Sequence, residues 1–366
     1  MLLLMLMLRM LELPVPRERG RLGQGWLEGE PSVSRLQCSK ERSVCTVTSL
    51  AVDEESLAVG LGSSGRVEVW DRRESRRVWS VVAHSEGVYT LQLGGRLLVS
   101  GGEDHSVRLW ERRTGEPLVC LTHHTFIVWA VRISLNLLVT ASYDCTVAFL
   151  SVSQEGEEVT AQLEQTVQGP WDWAEALYLS EDGEMMVVQD EKVFVLTVWT
   201  VKTLGQVSRC EGHMDEVNTV SMRGQLLVSG GSEGVVRLWD WRTGACLAVL
   251  EGHQGKVWSV SLDRFRLVSG GRFGEVRLWP LEEREANLAR GEQRTETQTE
   301  TVNYSEGRVL YAHPRSSSVA SVQLDRFGLV SGDGLALVIQ WDFWSSQAKS
   351  CPCTRYTEPQ PDPVTL

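Results

Sequence analysis

Hydrophobic and polar residues alternate in three short runs between His84 and Trp110, and tight turns separate the runs. The runs are Val88–Leu93, Leu97–Gly101 and Ser106–Trp110. Alternation of this kind, bounded by glycine and acidic residues, is typical of half-buried β-strands joined in an antiparallel meander. A single meander of this size leaves its apolar face without a partner. We therefore expect further copies of the unit in the same chain.

The pattern does recur along the chain, and each copy closes at an equivalent position. The closing positions are residues 70, 110, 150, 199, 239, 279 and 341, and four of the six intervals are 40 residues long. A period of about 40–45 residues that ends in Trp-Asp indicates the four-stranded blades of a β-propeller. On these repeats, residues 31–344 resemble the WD-repeat proteins. The prediction is an all-β, seven-bladed β-propeller of four-stranded antiparallel blades with a short N-terminal extension.

The extent of the repeats divides the chain into three segments. These are an N-terminal extension or linker at 1–30, the propeller at 31–349 and a flexible C-terminal tail at 350–366. The apolar start, Met1–Leu13, is too short to span a membrane and lacks the features of a signal peptide. Ser32–Cys38 has the character of a strand and precedes the first full blade. By resemblance to other propellers, we expect this strand to complete the last blade and close the ring.

The composition narrows the classes of function. A formal net charge of −12 argues against nonspecific nucleic-acid binding as the main task. Most of the eight cysteines are isolated, which favours a reducing compartment, the cytoplasm with the nucleus as the alternative. Cys351 and Cys353 could bind a metal or belong to an ordinary flexible tail, but two ligands do not make a site. The sequence shows no phosphate loop, metal cluster or paired catalytic carboxylate. We therefore predict no enzyme, no cofactor and no catalytic, cofactor-binding or metal-binding residue.

The resemblance implies a side-chain tetrad inside each regular blade. An acid accepts a hydrogen bond from an imidazole, the imidazole meets a hydroxyl, and the hydroxyl reaches an indole N–H. A histidine, a hydroxyl and an acid could also form a hydrolase triad, but the set recurs from blade to blade and an enzyme needs only one. We therefore predict a structural role for these residues. They are His84, Ser100, Asp104 and Trp110 in blade 2, His124, Thr140 and Asp144 in blade 3, His213, Ser229, Glu233 and Trp239 in blade 5, and His253, Ser269 and Trp279 in blade 6.

Several blades depart from this pattern. Leu150 replaces the tryptophan of blade 3, and Phe273 replaces the acid of blade 6. Blade 4 lacks both the histidine and the acid and follows an insertion at 154–173, so we expect it to be the least stable part of the ring. Within that insertion, Trp171 and Trp173 either pack inside an irregular blade or bind a partner.

A second insertion, Glu282–Asn303, lengthens the last interval to 62 residues. It is rich in charged residues, threonine and glutamine and has few apolar residues, so we expect a mobile loop. Because it follows the third strand of blade 6, it should project from the face opposite the partner-binding face. It is either a phosphorylatable regulatory loop or an inert insertion.

The expected partner surface is the narrow top of the ring, where the resemblance implies two positions per blade. One follows the valine that opens the innermost strand, and the other lies seven residues before the closing position. The large aromatic residues either form a binding rim or plug the central channel as core. With Arg272 as the only arginine, a strongly phosphorylated ligand is not expected, because it needs several charge-assisted pairs. The predicted protein-binding residues are Tyr89, Glu103, Trp129, Tyr143, Asn218, Ser232, Trp258 and Arg272, with Cys45 and Ser63 at the equivalent positions of blade 1.

A short motif ahead of the propeller suggests a narrower function. Trp26–Gly29 resembles the junction between the F-box region and the propeller in F-box/WD-repeat proteins, although residues 1–25 do not match an F-box. One hypothesis is the substrate-recognition part of an SCF-type ubiquitin ligase, with an adaptor contact if an F-box lies upstream. The alternative is a general WD-repeat scaffold or adaptor unrelated to ubiquitin transfer. Both predict a protein or peptide ligand on the top face, no membrane partner and no direct nucleic-acid binding.

Overall fold

A computed structural model describes most of the repeat region. The residues described are 32–38, 46–62, 64–134, 136–156, 158–168, 177–180, 185–190, 194–200, 203, 205–263, 266–281, 302–304, 308–311, 313, 317–324 and 328–342.

Seven sheets form the blades of a β-propeller, and we number the blades by their closing positions along the chain. The four regular strands of each blade pair antiparallel, so the loops before the first strand and between the second and third strands lie at the same end. The first described strand, β1 (Ser32–Gln37), belongs to the last blade. Blades 1 to 4 contain β2 (Val47–Val52), β3 (Ser56–Leu61), β4 (Arg66–Asp71) and β5 (Arg76–Val82); β6 (Val88–Gly94), β7 (Leu97–Gly102), β8 (Val107–Glu111) and β9 (Pro117–Leu121); β10 (Val128–Ser134), β11 (Leu137–Ser142), β12 (Thr146–Glu155) and β13 (Glu158–Gln168); and β14 (Leu177–Leu179), β15 (Met185–Asp190), β16 (Val195–Thr200) and β17 (Gln206–Cys210).

The remaining three blades follow the same plan, with a short 3-10 turn between two strands of blade 6. One additional strand joins blade 5 from outside its repeat. These elements are β18 (Val217–Arg223), β19 (Leu226–Gly231), β20 (Val236–Asp240) and β21 (Ala245–Leu250) in blade 5; β22 (Val257–Leu262), β23 (Arg266–Gly271), the turn Arg272–Gly274, β24 (Glu275–Pro280) and β26 (Arg308–Tyr311) in blade 6; β25 (Val302–Tyr304) on blade 5; and β27 (Val319–Leu324), β28 (Gly328–Asp333) and β29 (Leu337–Asp342) in blade 7. The seven-bladed, four-stranded prediction is confirmed.

The first strand closes the ring. β1 pairs antiparallel with β29, with Ser32 opposite Asp342 and Gln37 opposite Leu337. Leu36 and Cys38 are buried in the core between blades 7 and 1. The predicted closure by this segment is therefore confirmed.

Apolar clusters that consist mainly of valine and leucine fill the interfaces between neighbouring blades. Small residues permit the close approach of one blade to the next. A Cβ placed on Gly101 of blade 2 would lie 2.8 Å from a methyl carbon of Val128, which opens blade 3. The same contact recurs at the ring closure, where a Cβ on Gly332 would lie 2.5 Å from a methyl carbon of Val47. Real Cβ atoms do not approach this closely, so the glycine of the second strand leaves room for the next blade's valine.

The first insertion extends a hairpin. β12 and β13 pair as far as Glu155 opposite Glu158, so the fourth strand of blade 3 continues well beyond its usual length. Val159 packs against the apolar core of blades 2 and 3, and alternation along β13 gives it an inner and an outer face. The insertion at 154–173 does precede blade 4, and over 154–168, apart from residue 157, which is not described, it forms the outer hairpin of blade 3. Trp171 and Trp173 lie outside the described residues.

The second insertion ends in a strand. Val302 and Asn303 pair in parallel with Ala248 and Val249 of β21, so β25 adds a fifth strand to the neighbouring blade 5. The expectation of a loop through Asn303 is wrong for these last two residues, because the outer edge of blade 5 offers them unpaired backbone groups. The rest of Glu282–Asn303 lies outside the described residues.

Candidate functional site

The tetrad of blade 2 forms as the resemblance implied. Trp110 donates its indole N–H to Ser100 Oγ at 2.9 Å, and Ser100 Oγ lies 2.8 Å from His84 Nε2. His84 Nδ1 lies 2.7 Å from Asp104 Oδ1. One proton arrangement satisfies the whole chain: indole to hydroxyl, hydroxyl to Nε2, and Nδ1–H to the carboxylate.

Burial favours the structural over the hydrolytic interpretation of this tetrad. Ser100 is 0 % exposed and His84 is 1 % exposed, so neither side chain is open to solvent. Burial lowers the pKa of His84, which keeps the imidazole neutral. Burial raises the pKa of Asp104, but hydrogen bonds from Ser106 and His84 outweigh it and lower that pKa to about 2. The group is a buried polar brace that joins β7, β8, the turn between them and the loop before β6.

Blade 5 repeats this brace with a longer acid. His213 lies 2.6 Å from Ser229 Oγ through Nε2 and 2.7 Å from Glu233 Oε1 through Nδ1. Trp239 donates its indole N–H to Ser229 at 2.8 Å. Glu233 also accepts a backbone hydrogen bond from Met214, so the longer side chain reaches both partners that an aspartate reaches in blade 2.

In blades 6 and 7 the acid stands at a different position. His253 of blade 6 contacts Ser269 at 2.6 Å, and Glu275 takes the role of the missing acid, 3.3 Å from His253 Nδ1. Blade 7 has a set that sequence reasoning missed: His313 lies 2.5 Å from Ser331 Oγ and 3.0 Å from Asp333. The signal was present, since His313 precedes Asp333 by the 20 residues that separate His84 from Asp104.

Blade 3 replaces the tryptophan by a second histidine. Leu150 is fully buried at the closing position, and His123 Nε2 lies 2.9 Å from Thr140 Oγ1, where blades 2, 5 and 6 place an indole N–H. His124 Nε2 approaches the same hydroxyl at 2.8 Å, and the two imidazoles are 4.3 Å apart. Burial and the neighbouring His124 together lower the pKa of His123 to about 4, and burial also lowers the pKa of His124, so both rings are neutral near pH 7.

The space available explains why His123 and Leu150 occur together. In blades 5 and 6 the residue before the tetrad histidine is glycine, and a Cβ on Gly212 would lie only 3.2 Å from the Trp239 ring. A large residue before the histidine therefore needs a smaller residue at the closing position. Leu150 makes room for the His123 ring, and that ring restores the hydrogen bond to the hydroxyl.

We expect strong coupling between these two positions. Leu150→Trp alone should destabilise the fold by about 1–3 kcal/mol, because the indole meets the His123 ring in a filled core. His123→Gly alone should also destabilise it, because Thr140 loses a donor. The double variant should recover most of the loss, with a coupling energy of about 1–3 kcal/mol measured by denaturation of all four proteins. Additive effects of the two substitutions on the free energy of unfolding would contradict this steric coupling between positions 123 and 150.

Four of the eight predicted top-face residues stand at β-bulges. The pairing of β6 with β7 skips Tyr89, and the pairings of β10, β18 and β22 with their neighbours skip Trp129, Asn218 and Trp258. A bulge leaves its extra residue unpaired and re-aims its side chain. In blade 1 the skipped residue is Thr48, so the assignment of this position to Cys45 is wrong by three residues. Cys45 and Ser63 themselves lie outside the described residues.

The aromatic residues of blades 2 and 3 form one continuous group. The ring centroids of Tyr89 and Trp129 are 5.4 Å apart, and those of Trp129 and Tyr143 are 5.2 Å apart. Phe126 extends the group, 6.4 Å from Tyr143, and His105 of blade 2 stacks on Phe126 at 5.7 Å. We call these five residues the aromatic arc. Sequence reasoning missed Phe126 and His105, which lie on the loops beside the predicted positions.

In blade 5, the predicted binding residues bond mainly to the protein itself. The Asn218 amide donates to Ser232 Oγ at 3.2 Å and to the Val257 carbonyl of blade 6 at 3.0 Å. These two side chains therefore join neighbouring blades, and their polar groups are largely occupied. Beside them Met214 is 82 % exposed on the loop after β17, a feature that sequence reasoning missed.

Blade 6 presents two rings, each with its own cation. Lys256 Nζ lies 5.7 Å from the Trp258 ring, and Arg272 Cζ lies 5.3 Å from the Phe273 ring. Trp258 is 39 % exposed and Phe273 is 40 % exposed, so neither ring is fully buried core. Blade 6 is three blades on from blade 3, so this pair of rings and the aromatic arc are separate parts of the top face.

The described parts of the chain hold neither a candidate metal site nor a candidate membrane span. They contain no group of three or more histidine, cysteine or acidic residues that could hold a metal ion. They also contain no helix long and apolar enough to cross a membrane. Cys38, Cys120, Cys145, Cys210 and Cys246 form no disulfide among the residues that the structure describes.

Comparison with known proteins agrees with the fold. Residues 75–111, 115–149, 204–240 and 244–280 match the WD domain, G-beta repeat family. No curated protein sequence matches the chain. Among solved structures, the computationally designed Ika8 protein is similar with a TM-score of 0.60 and 22% identity, over 82% of this chain and 98% of that chain. At this identity the likeness is one of fold alone. Within the seven-bladed β-propeller, four segments of the chain therefore match WD repeats.

Proposed function

We propose that this protein is a non-catalytic interaction module whose top face binds a protein or peptide partner. WD-repeat propellers are generally non-catalytic interaction domains, and the tetrads of this chain are buried braces. The observation that carries the proposal is where the exposed large apolar residues lie. On the top face they are Phe126, Met214, Trp258, Phe273 and Leu335, on loops or bulges that share one end of the blades. Exposed aromatic anchors beside polar groups are typical of binding hot spots.

A backbone hydrogen bond that recurs between blades fixes the loops that carry these residues. In blade 3 the Tyr143 N–H donates to the Ile127 carbonyl, and in blade 6 the Arg272 N–H donates to the Lys256 carbonyl, each at 3.0 Å. The bond ties the loop before the first strand to the loop between the second and third strands. A surface preorganised in this way loses little conformational entropy when a partner binds.

The narrower role in ubiquitin transfer is a further proposal. It rests on the likeness of Trp26–Gly29 to the F-box junction, and those residues lie outside the described part of the chain. A scaffold or adaptor in a multiprotein complex requires only the top face. Co-purification of a Skp-type adaptor with a longer chain that includes upstream sequence would support the first role, and its absence would favour the second. We also propose a cytoplasmic location, supported by the free cysteine thiols.

Trp258→Ala is expected to weaken partner binding by about 2 kcal/mol or more while leaving the melting temperature largely unchanged. The physical reason is that this indole is 39 % exposed at a bulge, so it offers area to a partner without filling the core. The measurement is affinity capture with quantitative mass spectrometry, combined with a thermal melt of each purified protein. Arg272→Glu should weaken binding more than Arg272→Ala.

Leu163→Ala provides the matched control for capture. Leu163 is 45 % exposed on β13, the outer strand of blade 3, and lies away from the top face. Partners that are lost with Trp258→Ala and kept with Leu163→Ala would support the proposal. A large loss of melting temperature with unaltered binding per folded molecule would show that the indole is part of the core.

A further inference from the structure

The aromatic arc differs from the blade 6 rings in the charge beside it. At the position seven residues before the closing tryptophan, blade 6 has Arg272, whereas blade 2 has Glu103. Blade 6 therefore supplies cations to its own rings, as the contacts of Lys256 and Arg272 show. Blade 2 supplies a carboxylate at the edge of the arc instead. The two parts of the top face suit ligands of opposite charge.

Glu103 lies beside the loop that leads into Tyr89. Its Oε2 accepts a hydrogen bond from the Gly87 N–H at 3.4 Å, and its own N–H donates to the Gly87 carbonyl at 2.8 Å. Burial raises the pKa of Tyr89, and the charge of Glu103 on the adjoining loop raises it further. Among the residues that the structure describes, no basic side chain forms an ion pair with Glu103 or with the exposed Glu86 on the neighbouring loop. The nearby Arg108 contacts Asp104 at 3.7 Å instead.

The arc ends in an exposed histidine on the turn between β7 and β8. His105 has a φ of 65°, a left-handed conformation that this turn also adopts in the other blades, at Cys145 in blade 3 and at the glycine Gly234 in blade 5. The exposed imidazole stacks on Phe126, 42 % of which is exposed.

We propose that the aromatic arc and Glu103 bind an arginine side chain of the partner's peptide segment. The inference deepens the proposed function and rests on it. A guanidinium is planar, stacks on tryptophan and tyrosine faces, and forms two parallel hydrogen bonds to a carboxylate. A lysine offers a point charge without the stacking plane. The net charge of −12 further favours a basic segment through long-range attraction.

The test uses short peptides of known composition. The probes are the acetylated and amidated tripeptides Gly-Arg-Gly, Gly-Lys-Gly and Gly-citrulline-Gly, titrated into the full chain labelled with 5-fluorotryptophan. The fluorine resonances of Trp129 and Trp258 are assigned from the Trp129→Phe and Trp258→Phe variants. We expect the arginine peptide to shift the Trp129 resonance saturably, with a dissociation constant of about 1 mM, the range of weak single-residue contacts. The lysine peptide should bind at least threefold more weakly, and the uncharged citrulline peptide at least tenfold more weakly.

Two charge variants separate the carboxylate from the rings. Glu103→Gln should weaken binding of the arginine peptide at least fivefold, and Glu103→Arg, which copies blade 6, should abolish it. Glu74→Gln is the matched control, because this exposed acid lies between β4 and β5 at the opposite end of the blades and should leave binding unchanged. The Trp258 resonance is the internal control and should not move.

Three outcomes overturn the inference: equal shifts with arginine and citrulline, unchanged binding in Glu103→Gln, or no Trp129 shift at about 20 mM probe, well above the expected dissociation constant.

The proposed function has its own test, which is partner capture with Trp258→Ala. If capture depends on Trp258 and the arginine peptide does not bind, the top face is still a binding surface but its ligand is not an arginine. If the peptide binds and capture is unaffected by Trp258, the site exists and the partner contacts it without blade 6.

Discussion

Deletion of residues 1–40 is expected to lower the melting temperature by about 10 °C, the largest effect of any change considered for this fold. The deletion removes β1, which forms the outer strand of blade 7 opposite β29. It also uncovers the core that Leu36 and Cys38 share with blade 1. Loss of one buried leucine and a strand of backbone pairing amounts to about 5 kcal/mol, which for a domain of this size corresponds to that shift.

Complementation in trans separates loss of closure from other effects of the truncation. A peptide of residues 31–40 should bind the truncated protein by strand addition and restore most of the lost melting temperature. The same peptide with Leu36→Asp should not, because this side chain is only 5 % exposed in the ring. An unchanged melt of the truncated protein would mean that another segment, such as Phe343–Ala348, can close the ring.

The ring and its closure could be predicted because both depend on spacing. The interval between a tetrad histidine and the closing tryptophan is the same in blades 2, 5 and 6, and it places each strand and each turn. The strand character of Ser32–Cys38 marked the segment that completes a blade with three strands of its own. The sequence pattern also contains a signal for the extended hairpin, because Val159 and Ala161 are apolar members of an alternation along β13 and pack against the core.

The acids of blades 6 and 7 were missed because the carboxylate can reach the imidazole from more than one position. Asp104 stands four residues after Ser100, Glu275 six after Ser269, and Asp333 two after Ser331. What is maintained is a charge near Nδ1 of the histidine, and a search for the serine-to-acid spacing of blade 2 does not find it.

The register of blade 1 was missed for a different reason. Val44 and Val47 both precede a residue that could be the bulge, and only the pairing of β2 with β3 shows that Thr48 is skipped. Bulges depend on how two strands match in space, so they are not readable from one strand alone. The same holds for the aromatic arc: Phe126 and His105 lie far apart in the chain and meet because blades 2 and 3 are neighbours.

Asp333→Ala is expected to destabilise the protein by about 3–5 kcal/mol, more than any other tetrad acid, because it strands several buried groups at once. The Asp333 side chain is 0 % exposed, whereas that of Asp104 is 10 % exposed. Oδ1 accepts the N–H groups of Leu335 and Leu337, each at 2.9 Å, and Oδ2 faces His313. Asp104→Ala should cost about 1–3 kcal/mol, since water can partly replace its carboxylate.

The position of Asp333 explains why its removal should cost so much stability. It stands where blade 2 has Gly102, at which a Cβ would lie 2.3 Å from His84 Nδ1. Blade 7 admits the larger residue because His313 precedes its serine by 18 residues, whereas His84 precedes Ser100 by 16. The acid then binds the turn and the histidine together. Asp333→Asn should be milder than Asp333→Ala, because the amide oxygen still accepts both backbone hydrogen bonds.

The measurement is urea denaturation of the wild type, Asp333→Ala, Asp333→Asn and Asp104→Ala as a function of pH. Burial raises the pKa of Asp333, but hydrogen bonds from His313, Leu337 and Leu335 outweigh it and lower that pKa below the ordinary 3.8. The unfolded chain therefore binds the proton first as the pH falls. The stability that this acid contributes is fully present above pH 3.8 and is lost as the pH falls through its folded pKa. The gap between wild type and Asp333→Ala should narrow in that range. A gap independent of pH, or an Asp104→Ala loss as large as that of Asp333→Ala, would contradict the assignment of this buried carboxylate as the main brace of blade 7.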